Sequence, residues 1–141
     1  MSYQYNPLTG QLDLNTKSGG SAPSDGEKVQ KIYTASEDIS ALRMVRAQTP
    51  TSVSIADKDL LEDARAMGIS INAATTGNDV TVVTFGQVDD ASFLFSANDC
   101  LFLGDDGAIT DIPPTTGHNV PIGFGLGNGS IFIDIDNLTV L

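Results

Sequence analysis

The stretch Ser130-Ile-Phe-Ile-Asp-Ile-Asp136 alternates apolar and polar residues more cleanly than any other in the chain, with Ile131, Ile133 and Ile135 on one side. A side-chain period of two belongs to a strand with one face buried. Three further runs carry the same signature: β-branched Val80-Thr-Val-Val-Thr-Phe85, Ala91-Ser-Phe-Leu-Phe95 and Cys100-Leu-Phe-Leu103. Turn chemistry bounds them. Gly77-Asn78-Asp79 precedes the first and Gly86 ends it, Ser96-Ala-Asn-Asp99 leads into Cys100, Gly104-Asp-Asp-Gly107 follows Leu103, and Gly127-Asn128-Gly129 leads into Ser130. Strands recurring every ~8 to 12 residues predict an all-β fold, a compact antiparallel sandwich or barrel.

Helical composition is confined to about residues 57–66, where Asp57-Lys-Asp-Leu-Leu-Glu-Asp-Ala-Arg-Ala places acids toward its start and predicts a short helix. The segment from Ile39 to Ala47 fits either period, and its β context assigns it to a strand. An internal echo links Met67-Gly68-Ile69-Ser-Ile71 and Val80–Phe85 to Ile122-Gly123-Phe124-Gly-Leu126 and Ile131–Ile135. Both pairs read as a strand bent at glycine, a tight turn and a second strand, so two similar hairpins are expected to pack against each other. Two copies do not make a solenoid.

Composition divides the chain into three. Residues 1–14 carry Tyr3, Tyr5, a Pro7-Leu8-Thr9-Gly10 turn and the alternation Gln11, Leu12, Asp13, Leu14, which predicts an extended N-terminal arm. Residues 15–28 are rich in Gly, Ser, Pro and Asp without periodicity and read as a flexible linker. Residues 29–141 are the β-domain. At 141 residues, with 40% hydrophobic and 18% charged residues, one core is expected.

Charge is distributed unevenly. All seven Lys and Arg lie within residues 1–65 beside nine acids, whereas residues 66–141 hold nine Asp and no cation, which accounts for most of the net −11. A field of one sign repels phosphate backbones and anionic lipid, so neither nucleic acid nor membrane is an expected partner. No stretch approaches the ~18 apolar residues of a membrane span and no signal-peptide pattern opens the chain, so synthesis in a cytoplasm without signal-directed export is expected. Cys100 is the only cysteine. It excludes an intramolecular disulfide framework or a cysteine-based zinc cluster, and its apolar neighbours predict burial.

Chemistry finds little to work with. His118 is the only histidine, and it sits in the loop Thr115–Val120 without a Gly-x-Ser-x-Gly elbow to mark a nucleophile, so no enzyme is expected. Asp105, Asp106 and Asp111 surround Gly107, but their spacing lacks the alternate acids and distant Glu of a calcium loop. They read as turn residues, and Asp134 and Asp136 as a solvated strand face. Gly123–Gly129 contains G-x-G-x-G, yet a strand pattern follows where a phosphate loop requires a helix, so the glycines serve bends. Neither a metal nor a cofactor is expected. Phe132 falls on the outward side with Asp134, an aromatic that suggests burial against another chain and makes it the candidate for self-association.

The succession Thr34-Ala-x-Glu-x-Ile39-Ser-Ala-Leu-Arg, Met67-Gly-Ile, Asn78-Asp-Val-Thr-Val-Val-Thr-Phe-Gly86, Leu101-Phe-Leu-Gly-Asp-Asp-Gly-Ala-Ile-Thr110, Ile112-Pro-Pro, Ile122-Gly-Phe-Gly and Ile131-Phe-Ile-Asp-Ile resembles the small β-domains of tailed-bacteriophage virion proteins. These include head-decoration (cement) proteins and head or tail fibre modules. The opening Tyr5-Asn-Pro-Leu-Thr-Gly-Gln-Leu-Asp-Leu14 is similar to a short peptide that begins many of them. The resemblance covers most of the chain and implies a structural, non-catalytic β-rich homotrimer. It implies a protein made in the host cytoplasm that rides on the capsid exterior, with an arm engaging the major capsid protein or another virion protein. An extended arm can add a strand to an exposed sheet edge, which makes Tyr3, Tyr5, Pro7, Leu8, Leu12 and Leu14 the docking residues. The arm could instead fold back as an edge strand of its own domain. The competing functional readings are a head or tail fibre module binding host glycan through Thr115–Val120, and a tail enzyme built on His118.

Overall fold

A computed structural model describes residues 28–135 and 139–140, and within them the chain is almost entirely β. The strands are β1 (Val29–Ala35), β2 (Met44–Thr49), β3 (Ser52–Ile55), β4 (Ala66–Ser70), β5 (Asp79–Asp89), β6 (Cys100–Leu103), β7 (Ile109–Thr110), β8 (His118–Asn119), β9 (Pro121–Gly127), β10 (Ser130–Asp134) and β11 (Thr139–Val140). Nine of them form one sheet in the order β1-β3-β2-β4-β5-β10-β9-β6-β7, and β8 pairs with β11 apart from it. Because β1 also pairs with β5, the first five strands of that order close into a barrel. All pairings are antiparallel except β1 with β3.

Closure creates an inside and an outside. Ala35, Val45, Val53, Val80 and Val82 come from four strands of the barrel and form one buried cluster with Ile39, with Met67 of the remaining strand packed against it. The second and larger cluster joins the outer wall, at Met44, Ile69 and Val83, to Leu101, Leu103, Ile122, Ile131 and Ile133 of the strands beyond it. The eleven-residue β5 supports both. Its first half closes the barrel against β1, and its second half pairs with β10.

Gly86 does not end this strand, as its position in the sequence suggests; it lies inside β5 opposite Ile133. Its φ of 120° is a conformation that side-chain-bearing residues rarely adopt, so glycine here redirects the strand from the barrel into the outer sheet. The two expected hairpins both form, as β4–β5 and β9–β10, and the β5–β10 pairing joins them edge to edge while their inner residues share the larger core.

Several local expectations are corrected. No helix forms at 57–66, which is a series of turns. There the Asp57 carboxylate accepts the backbone N–H of Asp59 at 2.9 Å and that of Asp106 at 3.1 Å, while Asp63 pairs with Arg46 Nε at 2.6 Å. Local and tertiary partners for these acids outcompete the helical ladder. Ile39–Ala47 is not one strand: Ile39 makes an isolated bridge with Ala74, a turn follows at Ala41–Leu42, and only Met44 onward is regular. Ala91–Phe95 is a loop, turned by the Phe93 N–H donating to the Asp90 carbonyl and the Ser92 N–H donating to Asp90 Oδ1. Cys100 is exposed rather than buried, because the register of β6 turns Leu101 and Leu103 inward.

Candidate functional site

The chemistry of the described residues concentrates on no pocket with convergent catalytic groups, and the most distinctive feature is the outward face of β5, β10, β9 and β6. Register builds it. Phe132 lies opposite Gln87 on β5 and opposite Phe124 on β9, and Phe124 in turn lies opposite Cys100 on β6. Phe85 lies opposite Asp134 on one side and Val29 of β1 on the other. The Phe124 and Phe132 rings are stacked with centroids 5.3 Å apart, and Phe85 meets Phe132 edge-on at 5.2 Å. Such pairs contribute about 0.5–1.5 kcal/mol each beyond the area they bury.

Phe132 is thus outward as its alternation predicts, but it is the half-buried centre of an aromatic row rather than a ring isolated among acids. Phe85 remains 45% exposed and Phe124 37%, with Val29 at 58% beside them. Apolar side chains gathered on one open sheet face make it a candidate contact surface, and Ile32, Leu60, Leu61, Leu94 and Ile112 are exposed singly or in pairs elsewhere on the described residues. Sequence reasoning missed Phe85 and Phe124. Each sits at an alternating position within its strand, but only the strand register puts both against Phe132.

Packing behind the row is tight. A Cβ on Gly123 would collide with the Phe132 carbonyl, so this glycine is what lets β9 approach β10 closely enough to stack Phe124 on Phe132. The rim is acidic. Asp89 Oδ1 accepts hydrogen bonds from Gln87 Nε2 at 2.9 Å and Ser130 Oγ at 2.7 Å, and these hold its carboxyl below the ordinary Asp range, with Lys28 adding a smaller attraction. Asp90 is likewise lowered by hydrogen bonds from the backbone and side chain of Ser92.

The remaining candidates have structural partners. His118 Nδ1 donates to the Lys58 carbonyl at 2.8 Å, and the His118 backbone N–H donates to the same oxygen at 2.9 Å, pinning the loop before β8 to the turn at Lys58. Of the acids singled out around Gly107, only Asp105 joins a carboxylate group, together with Asp57 and Asp59. Lys58 Nζ lies 2.9 Å from Asp59 and 3.6 Å from Asp105, and its pKa is raised by the hydrogen bond to Asp59 and the charge of Asp105. An ammonium already answers part of that negative charge. An open groove of ≈ 570 Å³ is lined by Arg46, Ala47, Leu60, Leu61, Glu62 and Arg65, its charges mixed and Arg46 engaged by Asp63. Tyr3, Tyr5, Pro7, Leu8, Leu12 and Leu14, which the sequence reading expects to dock, lie outside the described residues.

No family model and no curated protein matches this chain. Among solved structures it is similar to the head fibre gp8.5 N base of bacteriophage phi29, with a TM-score of 0.47 and 16% sequence identity, over 76% of this chain and 94% of that one.

Proposed function

We propose that this chain is a structural protein of a bacteriophage virion: a capsid decoration protein that docks on the major capsid protein or another virion protein through residues 1–14 and self-associates, as a homotrimer, through its β-domain. The observation that carries the reading is the aromatic row Phe85, Phe132 and Phe124 on an open sheet face, a contact surface rather than a reaction site. Supporting it are the motif resemblance to virion β-domains, the arm of alternating apolar residues ahead of a Gly/Ser-rich linker, and the one-sign charge of residues 66–141. Repetition over a symmetric shell multiplies weak contacts, so no single arm has to bind tightly. Neither nucleic acid, membrane, metal nor cofactor has a part in this function.

Light scattering of the purified protein with and without empty capsids tests it, since it reads oligomeric state and shell binding together. A chain lacking residues 1–26 that still co-sediments with capsids would remove the arm as the anchor. Binding on a glycan array would transfer the protein to the alternative reading, a fibre module for host attachment.

A further inference from the structure

We propose that Asn128 is a site of spontaneous modification, at which the amide nitrogen of Gly129 attacks the Asn128 side chain and converts it, through a cyclic imide, to an isoaspartyl residue that breaks the turn registering Phe124 against Phe132. The reaction needs only this chain and water, so it stands independently of the proposed function.

Sequence and turn geometry bring the reacting groups together. Asn128-Gly129 is the only Asn-Gly pair in the chain, and glycine, lacking a side chain, leaves its amide nitrogen open to a neighbouring carbonyl carbon. Gly127 pairs with Ser130 across the β9–β10 hairpin, so Asn128 and Gly129 form its two-residue turn, with φ of 53° and 81°. Two positive φ values in succession belong to a tight hairpin turn of type I′. Asn128 is exposed, and the Gly129 N–H donates to no backbone carbonyl among the described residues, while the Gly129 carbonyl accepts the Asp90 N–H at 2.8 Å.

Other asparagines of the described residues are held. Asn72 Oδ1 accepts the Thr81 N–H at 2.7 Å and its Nδ2 donates to the Asp79 carbonyl at 3.3 Å. Asn78 Nδ2 donates to Thr75 Oγ1 at 2.6 Å, and Asn119 Oδ1 is buried. Asn98 is followed by Asp99, whose N–H is already committed to the Ser96 carbonyl at 3.2 Å.

The step balances with water alone. Gly129 nitrogen gives up its proton and bonds to Asn128 Cγ as the Cγ–Nδ2 bond breaks and ammonia leaves with that proton. Water then opens the ring: its hydroxyl stays on one carbonyl carbon as a carboxylate, and the other carbonyl remains joined to the Gly129 nitrogen. Attack at the main-chain carbonyl reroutes the backbone through the side chain and lengthens it by a methylene. In a hairpin the turn fixes the register. Phe124 and Phe132 each lie four residues from Asn128 (128 − 124 and 132 − 128), so a longer turn displaces one ring from the other.

The test ages the purified full chain in mildly alkaline buffer beside a mildly acidic control, follows each asparagine by mass spectrometry of its peptides, and labels the product with protein isoaspartyl methyltransferase. Conversion at Asn128 is expected to be several-fold faster than at Asn72, Asn78, Asn98 or Asn119, and faster in the alkaline arm, where the attacking amide loses its proton more readily. Asn128→Gln is expected to remove most of the labelling. Conversion led by another of those asparagines, or labelling undiminished in Asn128→Gln, overturns the site. The modified chain, separated by ion exchange, is then unfolded in urea beside Asn128→Asp, which adds the charge without the methylene. A lower midpoint is expected for the modified chain, and equal midpoints overturn the loss of register.

Discussion

Phe124 and Phe132 face each other across the β9–β10 pairing with their rings 16° from parallel, and the space for that stack exists because the residue before Phe124 is Gly123. The surface that sets this protein apart thus depends on a glycine beside the stack as much as on its aromatic rings.

Replacing Phe132 separates folding from contact. Phe132→Ser removes the shared partner of both aromatic pairs from a half-buried position, so a loss of about 1–3 kcal/mol is expected, within what a domain of this size tolerates. Urea denaturation should register that loss with the far-ultraviolet spectrum retained. Light scattering at matched concentration should show a smaller species than wild type, and an unchanged oligomer would remove Phe132 from the interface.

Gly123→Ala acts from behind the face. Its new Cβ meets the Phe132 carbonyl rather than a movable side-chain tip, and φ is 151°, so backbone has to shift. An expected destabilisation of about 2–4 kcal/mol follows from strain of this kind. The measurement is the denaturation midpoint, and a change under about 0.5 kcal/mol, the range of ordinary surface substitutions, would contradict the packing described.

Ser70 tests the barrel wall. Fully buried, its hydroxyl donates to the Ser40 carbonyl at 2.8 Å and accepts the Arg43 backbone N–H at 3.1 Å. Ser70→Ala leaves both backbone groups short of a partner, with an expected cost of about 1–3 kcal/mol. Thermal melts of Ser70→Ala beside Ser70→Thr show whether the hydroxyl or the volume is responsible.

Acid titration reads the rim. The carboxyls of Asp89 and Asp90 are lowered in the folded state, so their contribution to stability is present above the unfolded Asp value of ~3.9 and is lost as pH falls through the lower folded values. Melting temperature should therefore fall below about pH 4, and Asp89→Asn should flatten that dependence. Lys58 works in the opposite sense: its raised pKa contributes stability below the unfolded Lys value, and the contribution is lost as pH rises through the folded one.

Salt should favour face-to-face association. In a face-to-face pair, Asp89 and Asp134 of one copy would oppose the same acids of the other, and at ~0.15 M ionic strength charges more than about 8 Å apart are largely screened. The apparent molecular mass in light scattering is expected to rise from low to moderate salt. A fall would mean that attraction between charges, rather than apolar contact, holds the copies together.

Local pattern alone determined the β class, the Val80 and Ser130 strands, the two hairpins and the outward side of Phe132, because period-two alternation and Gly/Asn/Asp turns act over neighbouring residues. Tertiary structure decided the rest. Asp57 and Asp63 found partners in Asp106 and Arg46 and dissolved the expected helix, while the register of β6 against β9 turned Cys100 outward. The aromatic row belongs wholly to that second category. Phe85, Phe124 and Phe132 are separated by up to 47 positions in the chain (132 − 85), and only hydrogen-bonded pairing between strands, which no stretch of sequence encodes on its own, could place their rings in contact.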